Sequence, residues 1–219
     1  VVGFSTNNGV LLLNEIFQGP GVDYSLDEKA TSTEITFTGA ASSVSDGIVV
    51  VTSGEDIEYV KNCLHEVKKV KEVVEGGSTR TKSVRHGLEL VPQDSEILIV
   101  HDGVRPLASE KLFKSVVNKV QEGSEAVVPV IPVSDSLRSI NGSHIDRSEV
   151  VAVQTPQAFN ATLLRKAYSI CENTSDDSSL VELAGGTIDF VEGDARNLKI
   201  TVNSDLLIAE QFLNSKVID

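Results

Sequence analysis

Asp102 and Arg105 are the residues whose types and spacing point most directly to chemistry. They lie in His101-Asp102-Gly103-Val104-Arg105-Pro106, immediately after the apolar run Ile97-Leu98-Ile99-Val100. A short, unbroken, β-branched run of this kind predicts a buried strand of a parallel sheet. Open α/β sheets bind their ligands just beyond the carboxyl ends of such strands. A carboxylate can hold a divalent metal there, and an arginine can bind phosphate oxygens through two nitrogens, so the segment predicts metal-assisted phosphate chemistry.

The same segment also has a purely structural interpretation. Asp-Gly is a common turn after a strand because its backbone conformation suits the turn, whatever the protein does. Taken alone, the segment favours a functional site and a structural turn about equally, since fold position does not by itself establish a function. The other polar segments of the chain must therefore decide between the two.

A glycine-rich segment, Gly76 to Val84, follows a short predicted strand and opens a predicted helix. Gly77 permits close approach of a ligand to the backbone, and the free N–H groups of the helix start suit an anion or a base edge. Arg80 and Ser83 add side-chain donors. By itself the segment also fits an ordinary glycine turn before a polar helix start.

Three later segments add candidates for the same chemistry. Thr155 precedes Pro156 and is therefore extended, so its hydroxyl could face a ligand. Lys199 stands between apolar neighbours, as phosphate-binding lysines often do, although a lysine with a buried stem and a free tip gives the same pattern. The remaining candidates are Ser136 and Arg147, in a polar stretch that also fits a solvated arm.

Composition limits the classes of partner. The chain has 219 residues, 40% of them apolar, and a net charge of −13, which fits a packed α/β protein but opposes binding to nucleic acid or anionic lipid. No run approaches the roughly 18 apolar residues that a membrane span needs. Cys63 and Cys171 lack metal-ligand spacing and resemble idle thiols of a reducing compartment, so we expect a cytoplasmic protein.

Strands and helices alternate from residue 47 onward, which predicts an α/β fold with a doubly wound, mostly parallel sheet of the Rossmann-like kind. Asn141-Gly142 is a strong hairpin signal and predicts a β-arm over about 134–153, projecting from the sheet. Residues 1–46 differ in composition and predict short strands joined by turns. We therefore place a domain boundary between an atypical β-rich segment, 1–46, and the domain 47–219.

Taken together and in their order along the chain, the polar segments described above resemble the motifs of the 2-C-methyl-D-erythritol 4-phosphate cytidylyltransferases of non-mevalonate isoprenoid synthesis. The matching segments, over roughly residues 47–214, are the GG-x-x-R-x-x-SV segment at Gly76–Val84, HDGVRP, PVSDSLR, IDRS with QTPQAF, SDDSSLVE and EGDARNLKIT. The ribitol 5-phosphate cytidylyltransferases share this layout and remain an alternative. A non-catalytic nucleotide-fold or interaction protein is the alternative from another class.

The resemblance implies transfer of a cytidylyl group from CTP to a sugar-alcohol phosphate, with Mg²⁺ as cofactor. Asp102 matches the magnesium-binding position, and Lys199 and Arg147 match positions around the reacting phosphate. The substrate-binding positions that match are Arg105, Ser136, Thr155, Gly77, Ser83 and Gly103. The resemblance also implies a homodimer in which the arm carries Arg147 into the partner's site.

The first 46 residues depart from this family. The family opens with a glycine-rich loop that carries an arginine, followed by a Pro-Lys-Gln segment, whereas this chain has no Lys or Arg before Lys29. Residues 5–40 faintly resemble a β-module of phage structural proteins instead. Since one preorganised donor is worth roughly 3–4 kcal/mol of barrier, we expect reduced turnover unless Lys29 or Lys82 replaces the missing cations.

Overall fold

The computed structural model of the chain describes residues 2–5, 10–14, 40–170 and 176–214. The strands are β1 (Val2–Ser5), β2 (Val10–Asn14), β3 (Gly47–Thr52), β4 (Val70–Glu75), β5 (Ile97–Asp102), β6 (Ala126–Pro132), β7 (Leu137–Arg138), β8 (His144–Ile145), β9 (Val151–Val153), β10 (Gln157–Asn160) and β11 (Ile188–Glu192). The α-helices are α1 (Ile57–Leu64), α2 (Arg80–Glu89), α3 (Glu110–Gln121), α4 (Ala161–Ile170), α5 (Asp177–Leu183) and α6 (Asn203–Asn214). The alternation of strands and helices expected after residue 46 is present.

The central sheet has the order β11-β6-β10-β5-β1-β2-β3-β4, with β9 beside β6. Strands β2, β3, β4, β5, β6 and β11 run in one direction, while β1, β9 and β10 run against them. The expected α/β fold with a mostly parallel sheet is confirmed. Strand β10 was not predicted. It lies antiparallel between β5 and β6 and begins beside the carboxyl end of β5, so Thr155, two residues before β10, lies at that end of the sheet.

Helices cover both faces of this sheet, as a doubly wound fold requires. Alternate residues of each buried strand point to opposite faces, so Ile97 and Ile99 join one core while Leu98 and Val100 join the other. Helices α1 and α3 pack on the first core, and α2, α4 and α5 pack on the second. Strand β5 is buried along its whole length, which makes its carboxyl end a rigid position for a polar group.

The predicted arm is a hairpin in which β7 pairs with β8. Gly142 supplies the turn with a backbone φ of +91°, in the left-handed region that favours glycine. The last three residues of the predicted arm form β9 and pair with β6 in the central sheet. The hairpin of the arm therefore spans residues 137–145.

The described parts of the N-terminal segment join the central sheet. Strand β1 pairs with β5 and β2 pairs with β3, so the short strands expected in this segment do form where the structure describes it. Ala41 packs in the first core. Most of the segment that resembles a phage β-module, and Lys29 with it, lies outside the described residues. The boundary at residue 47 remains a prediction.

Candidate active site

Asp102 is the last residue of β5 and the centre of a cluster of positive charges. Its carboxylate lies 3.3 Å from Lys199 Nζ, 3.5 Å from Arg105 Nε and 3.6 Å from Arg80 Nη2. The sequence predicted that Asp102, Arg105 and Lys199 converge, and they do, although Lys199 is distant in the sequence. Arg80, noted only as a donor on the glycine-rich segment, belongs to the same cluster.

The charges of the cluster keep the Asp102 carboxyl ionised. Burial by itself would raise its pKa, but the positive charges of Arg80 and Lys199, with a smaller contribution from Arg105, outweigh burial and lower the pKa below its ordinary value. Lys199 is the most exposed of the three cations, with 37% of its side chain accessible, against 15% for Arg80 and 11% for Arg105. A ligand arriving from solvent would therefore meet Lys199 first.

Two residues beneath the carboxylate fix the backbone of Asp102. The Asp102 N–H donates to Thr155 Oγ1 at 3.0 Å, and Thr155 Oγ1 lies 3.1 Å from Nδ1 of His101. The other ring nitrogen, Nε2, lies 3.2 Å from the Arg105 carbonyl, which only accepts, so Nε2 carries the proton. Burial lowers the pKa of His101 to about 3, which keeps the ring neutral and leaves Nδ1 to accept from the Thr155 hydroxyl.

The Thr155 side chain thus faces the protein interior at the site rather than open solvent. It is 4% exposed, and its hydroxyl makes the two hydrogen bonds with His101 and Asp102. Its expected contact with substrate remains a prediction. Sequence reasoning did not assign His101 a role, although its place next to Asp102 was the signal that could have identified it.

The segment that carries Lys199 is held at the end of β5 by hydrogen bonds that involve its backbone. Arg105 Nη1 donates to the Asn197 carbonyl at 2.8 Å, and the Ile200 N–H donates to the Val104 carbonyl at 2.8 Å. Asn197 is fully buried and donates from Nδ2 to the Thr155 carbonyl at 2.8 Å. Sequence reasoning missed Asn197, whose type and position gave no specific signal.

Arg80 is held at the start of α2 by a carboxylate from a different helix. Its guanidinium donates to both oxygens of Asp177, at 3.0 and 2.6 Å, and the hydroxyl of Tyr168 also donates to Asp177. Asp177 raises the pKa of Arg80 against the lowering effect of burial. Asp177 was not predicted as a site residue, because an acidic residue at a helix start is ordinarily a helix-stabilising feature.

The glycine-rich segment connects β4 to α2 through a turn that side-chain hydrogen bonds close. The Gly77 N–H donates to Ser83 Oγ at 3.0 Å, and the Ser83 hydroxyl donates to the Thr79 carbonyl at 3.1 Å. A Cβ at Gly77 would lie 2.3 Å from Cβ of Lys82, so only glycine fits there. Lys82 is exposed and donates to Ser78 at 3.1 Å. The nucleotide contacts assigned to Gly77 and Ser83, and the compensating role of Lys82, remain predictions.

The arm residues lie away from this cluster in the contacts that the structure describes. Ser136 and Arg147 are both exposed, and Arg147 Nη1 donates to the Ser134 carbonyl at 2.6 Å, within the arm. Gly103 is exposed in the turn directly after Asp102. The assigned roles of these three residues remain predictions.

A doubly wound sheet with one carboxylate and several cations at a strand's carboxyl end defines a nucleotide-binding α/β protein. A family model described as IspD, 2-C-methyl-D-erythritol 4-phosphate cytidylyltransferase, matches residues 25–215. Relatives with that name include one from Alkaliphilus metalliredigens, which is 38% identical over 80% of this chain and 77% of its own length. Another, from Nocardia farcinica, is 39% identical over 80% of this chain and 78% of its own length. The chain belongs to this family.

Solved structures of similar proteins agree with this assignment. A 4-diphosphocytidyl-2C-methyl-D-erythritol synthase from Anaerococcus prevotii superposes with a TM-score of 0.79 at 26% identity, covering 93% of this chain and 96% of that one. The 2-C-methyl-D-erythritol 4-phosphate cytidylyltransferase from Thermus thermophilus superposes with a TM-score of 0.74 at 30% identity, covering 92% of this chain and 97% of that one. Among the helices of the described residues, none has the length and apolarity needed to cross a bilayer.

Proposed function

We propose that this chain transfers a cytidylyl group from CTP to 2-C-methyl-D-erythritol 4-phosphate and releases pyrophosphate. The observation that carries the proposal is the cluster of Arg80, Arg105 and Lys199 around the buried carboxylate of Asp102. A phosphate oxygen of the sugar-alcohol phosphate attacks the α-phosphorus of CTP, and the bond from that phosphorus to the bridging oxygen of pyrophosphate breaks. Preorganised cations stabilise the negative charge on the crowded phosphorus, and no protein nucleophile is required.

Asp102 suits Mg²⁺ only together with the nucleotide. Among the described residues, no group of three or more His, Cys, Asp or Glu side chains is placed to hold a metal ion. Mg²⁺ is commonly bound through one or two carboxylates plus substrate phosphates, and Asp102 supplies the one carboxylate. When bound there, Mg²⁺ would neutralise charge on the triphosphate.

The other proposed contacts divide between the two substrates. We assign Gly77, Ser83 and Gly103 to the binding of CTP, and Arg105 and Thr155 to the binding of the sugar-alcohol phosphate. Ser136 and Arg147 reach that phosphate from the arm of a partner subunit in a homodimer. CTP is a cytoplasmic nucleotide, which accords with the expected cytoplasmic location.

Pyrophosphate release tests the reaction. CTP, Mg²⁺ and either 2-C-methyl-D-erythritol 4-phosphate or ribitol 5-phosphate are supplied, and we expect release with the first acceptor only. Asp102→Asn should abolish it, while Asp94→Asn should not, because Asp94 is an exposed aspartate beyond the opposite end of β5. Release with ribitol 5-phosphate instead would assign the alternative substrate, and no release or CTP binding with either would refute the enzymatic proposal.

Mixing two inactive variants tests the contribution of the arm across subunits. Arg147→Gln and Lys199→Gln, each inactive alone, should regain up to a quarter of wild-type activity when heterodimers form, because one of the two sites then holds both wild-type residues. Circular dichroism checks that both variants fold. Two folded, inactive variants that form heterodimers without regaining activity would place Arg147 in its own subunit's site. A fully active Arg147→Gln variant would place Arg147 outside the reaction.

A further inference from the structure

Arg80 is shared between two buried carboxylates at unequal distances. Its guanidinium makes a two-nitrogen pair with Asp177, at 3.0 and 2.6 Å, and reaches Asp102 only at 3.6 Å. The Asp177 side chain has no exposed surface, and those of Asp102 and Arg80 are 8% and 15% exposed. A cation in such surroundings must remain paired, so the two carboxylates compete for it.

The Asp177 carboxylate is held in place and makes the shorter contacts with Arg80. It is the first residue of α5, and Asp176 caps that helix by accepting from the N–H groups of Ser178 and Ser179. The hydroxyl of Tyr168, on α4, donates to the same carboxylate. Two helices therefore fix the position of the Asp177 oxygens, and the planar fork of Arg80 matches them.

We propose that Asp177 is a positioning residue that draws Arg80 away from Asp102 and so leaves the Asp102 carboxylate available to a magnesium–nucleotide complex. Without the negative charge of Asp177, Arg80 would turn to the nearest remaining buried carboxylate, which is Asp102. Lys199 and Arg105 lie against Oδ2 of Asp102, and Arg80 lies on the side of Oδ1, so a full pair with Arg80 would occupy the oxygen that those two cations leave to the metal. The inference rests on the proposed function and adds a residue that touches neither substrate nor metal.

The test is the free Mg²⁺ concentration that gives half-maximal CTP binding, measured by calorimetry on the full chain, with pyrophosphate release measured in parallel. Asp177→Asn keeps the shape of the side chain and removes its charge. We expect the half-saturating Mg²⁺ concentration to rise roughly 10- to 100-fold, the usual effect of losing a group that orients a metal ligand. Asp177→Glu keeps the charge, so its half-saturating Mg²⁺ concentration should lie within about three-fold of wild type, well below the 10-fold rise that marks loss of an orienting group.

Two further variants separate positioning from structural support. Tyr168→Phe removes a hydrogen bond to Asp177 but no charge, so it should lower the melting temperature without moving the Mg²⁺ requirement. Adding Asp177→Asn to an Arg80→Gln background should have no further effect on that requirement, because the residue that Asp177 positions is absent. If Asp177→Asn does not fold, Asp177→Ser replaces it, since its smaller side chain leaves room for water beside Arg80.

The outcomes are distinct. A folded charge-removing variant whose Mg²⁺ requirement equals that of wild type overturns the inference, whatever its melting temperature. An equal shift in the Arg80→Gln background also overturns it, because Asp177 would then act by another route. Wild-type protein that binds no CTP at any Mg²⁺ concentration overturns the proposed function itself, and the inference with it.

Discussion

Replacing Thr155 by valine tests whether the hydrogen bonds beneath Asp102 hold the site together. Valine fills nearly the same volume as threonine but has no hydroxyl. The change leaves the Asp102 N–H without its acceptor and His101 Nδ1 without its donor. His101 is fully buried and Asp102 is 6% exposed, so water cannot easily replace the hydroxyl.

The expected loss follows from the number of buried groups left unpaired. Each unsatisfied buried donor or acceptor costs about 1–3 kcal/mol, so the two groups left unpaired by Thr155→Val should lower the free energy of unfolding by roughly 2–6 kcal/mol. In a chain of this size each 1 kcal/mol corresponds to about 2–4 °C, which gives a melting temperature roughly 4–24 °C lower.

Urea denaturation followed by circular dichroism measures this loss, and Thr155→Ser is the matched control. Serine keeps the hydroxyl and loses one buried methyl group, so it should cost only about 1 kcal/mol. Thr155→Val should therefore be clearly less stable than Thr155→Ser. Equal stability of the two variants would refute the reasoning, because the hydroxyl would then contribute nothing beyond its volume.

Two further predictions concern the pH response and the glycine-rich turn. The pKa of His101 is about 3 in the folded protein and near its ordinary value of 6.5 when unfolded, so the unfolded chain alone takes up this proton as the pH falls. The contribution of His101 to the free energy of unfolding should be fully present above pH 6.5 and decline as the pH drops towards 3, with a loss of roughly 2.5 kcal/mol between pH 7 and 4.5. Denaturation measured as a function of pH should show this loss in wild type and not in His101→Gln. Gly77→Ala should weaken CTP binding in calorimetry, because its Cβ would meet Cβ of Lys82 at 2.3 Å and displace the backbone. Gly54→Ala is the matched control, because a Cβ at Gly54 would lie 2.8 Å from the carboxylate of Glu75, which can move aside. Equal CTP binding by Gly77→Ala and Gly54→Ala would contradict the argument.

The order of elements after residue 46 was predictable because each has a simple local signal. Buried strands such as β3 and β5 are short runs of β-branched residues, and helices such as α3 repeat apolar residues at helical spacing. Strand β10 escaped prediction because its four residues follow a proline and have no periodicity of their own. Its pairing with β5 and β6 is a property of the assembled sheet.

The candidate site was predictable where a residue's type is unusual for its position. An acid and an arginine directly after a buried strand, and a lysine among apolar residues, identified Asp102, Arg105 and Lys199. Asp177 gave no such signal, because acids at helix starts are common. Its importance arises from the bidentate contact with Arg80, a residue 97 positions away in the sequence.

The sequence by itself determined the alternating strands and helices, the hairpin at Asn141-Gly142, the family resemblance and the acid at the end of β5, because these depend on side-chain type and near-neighbour spacing. Only the tertiary structure decided which cations surround Asp102, how His101 and Thr155 fix its backbone, and which carboxylate takes the larger share of Arg80. Those contacts join segments tens of residues apart, and their geometry is set by how the sheet and helices pack. Burial then makes that geometry matter, because a charge or polar group removed from water is stabilised only by the partners that packing brings to it.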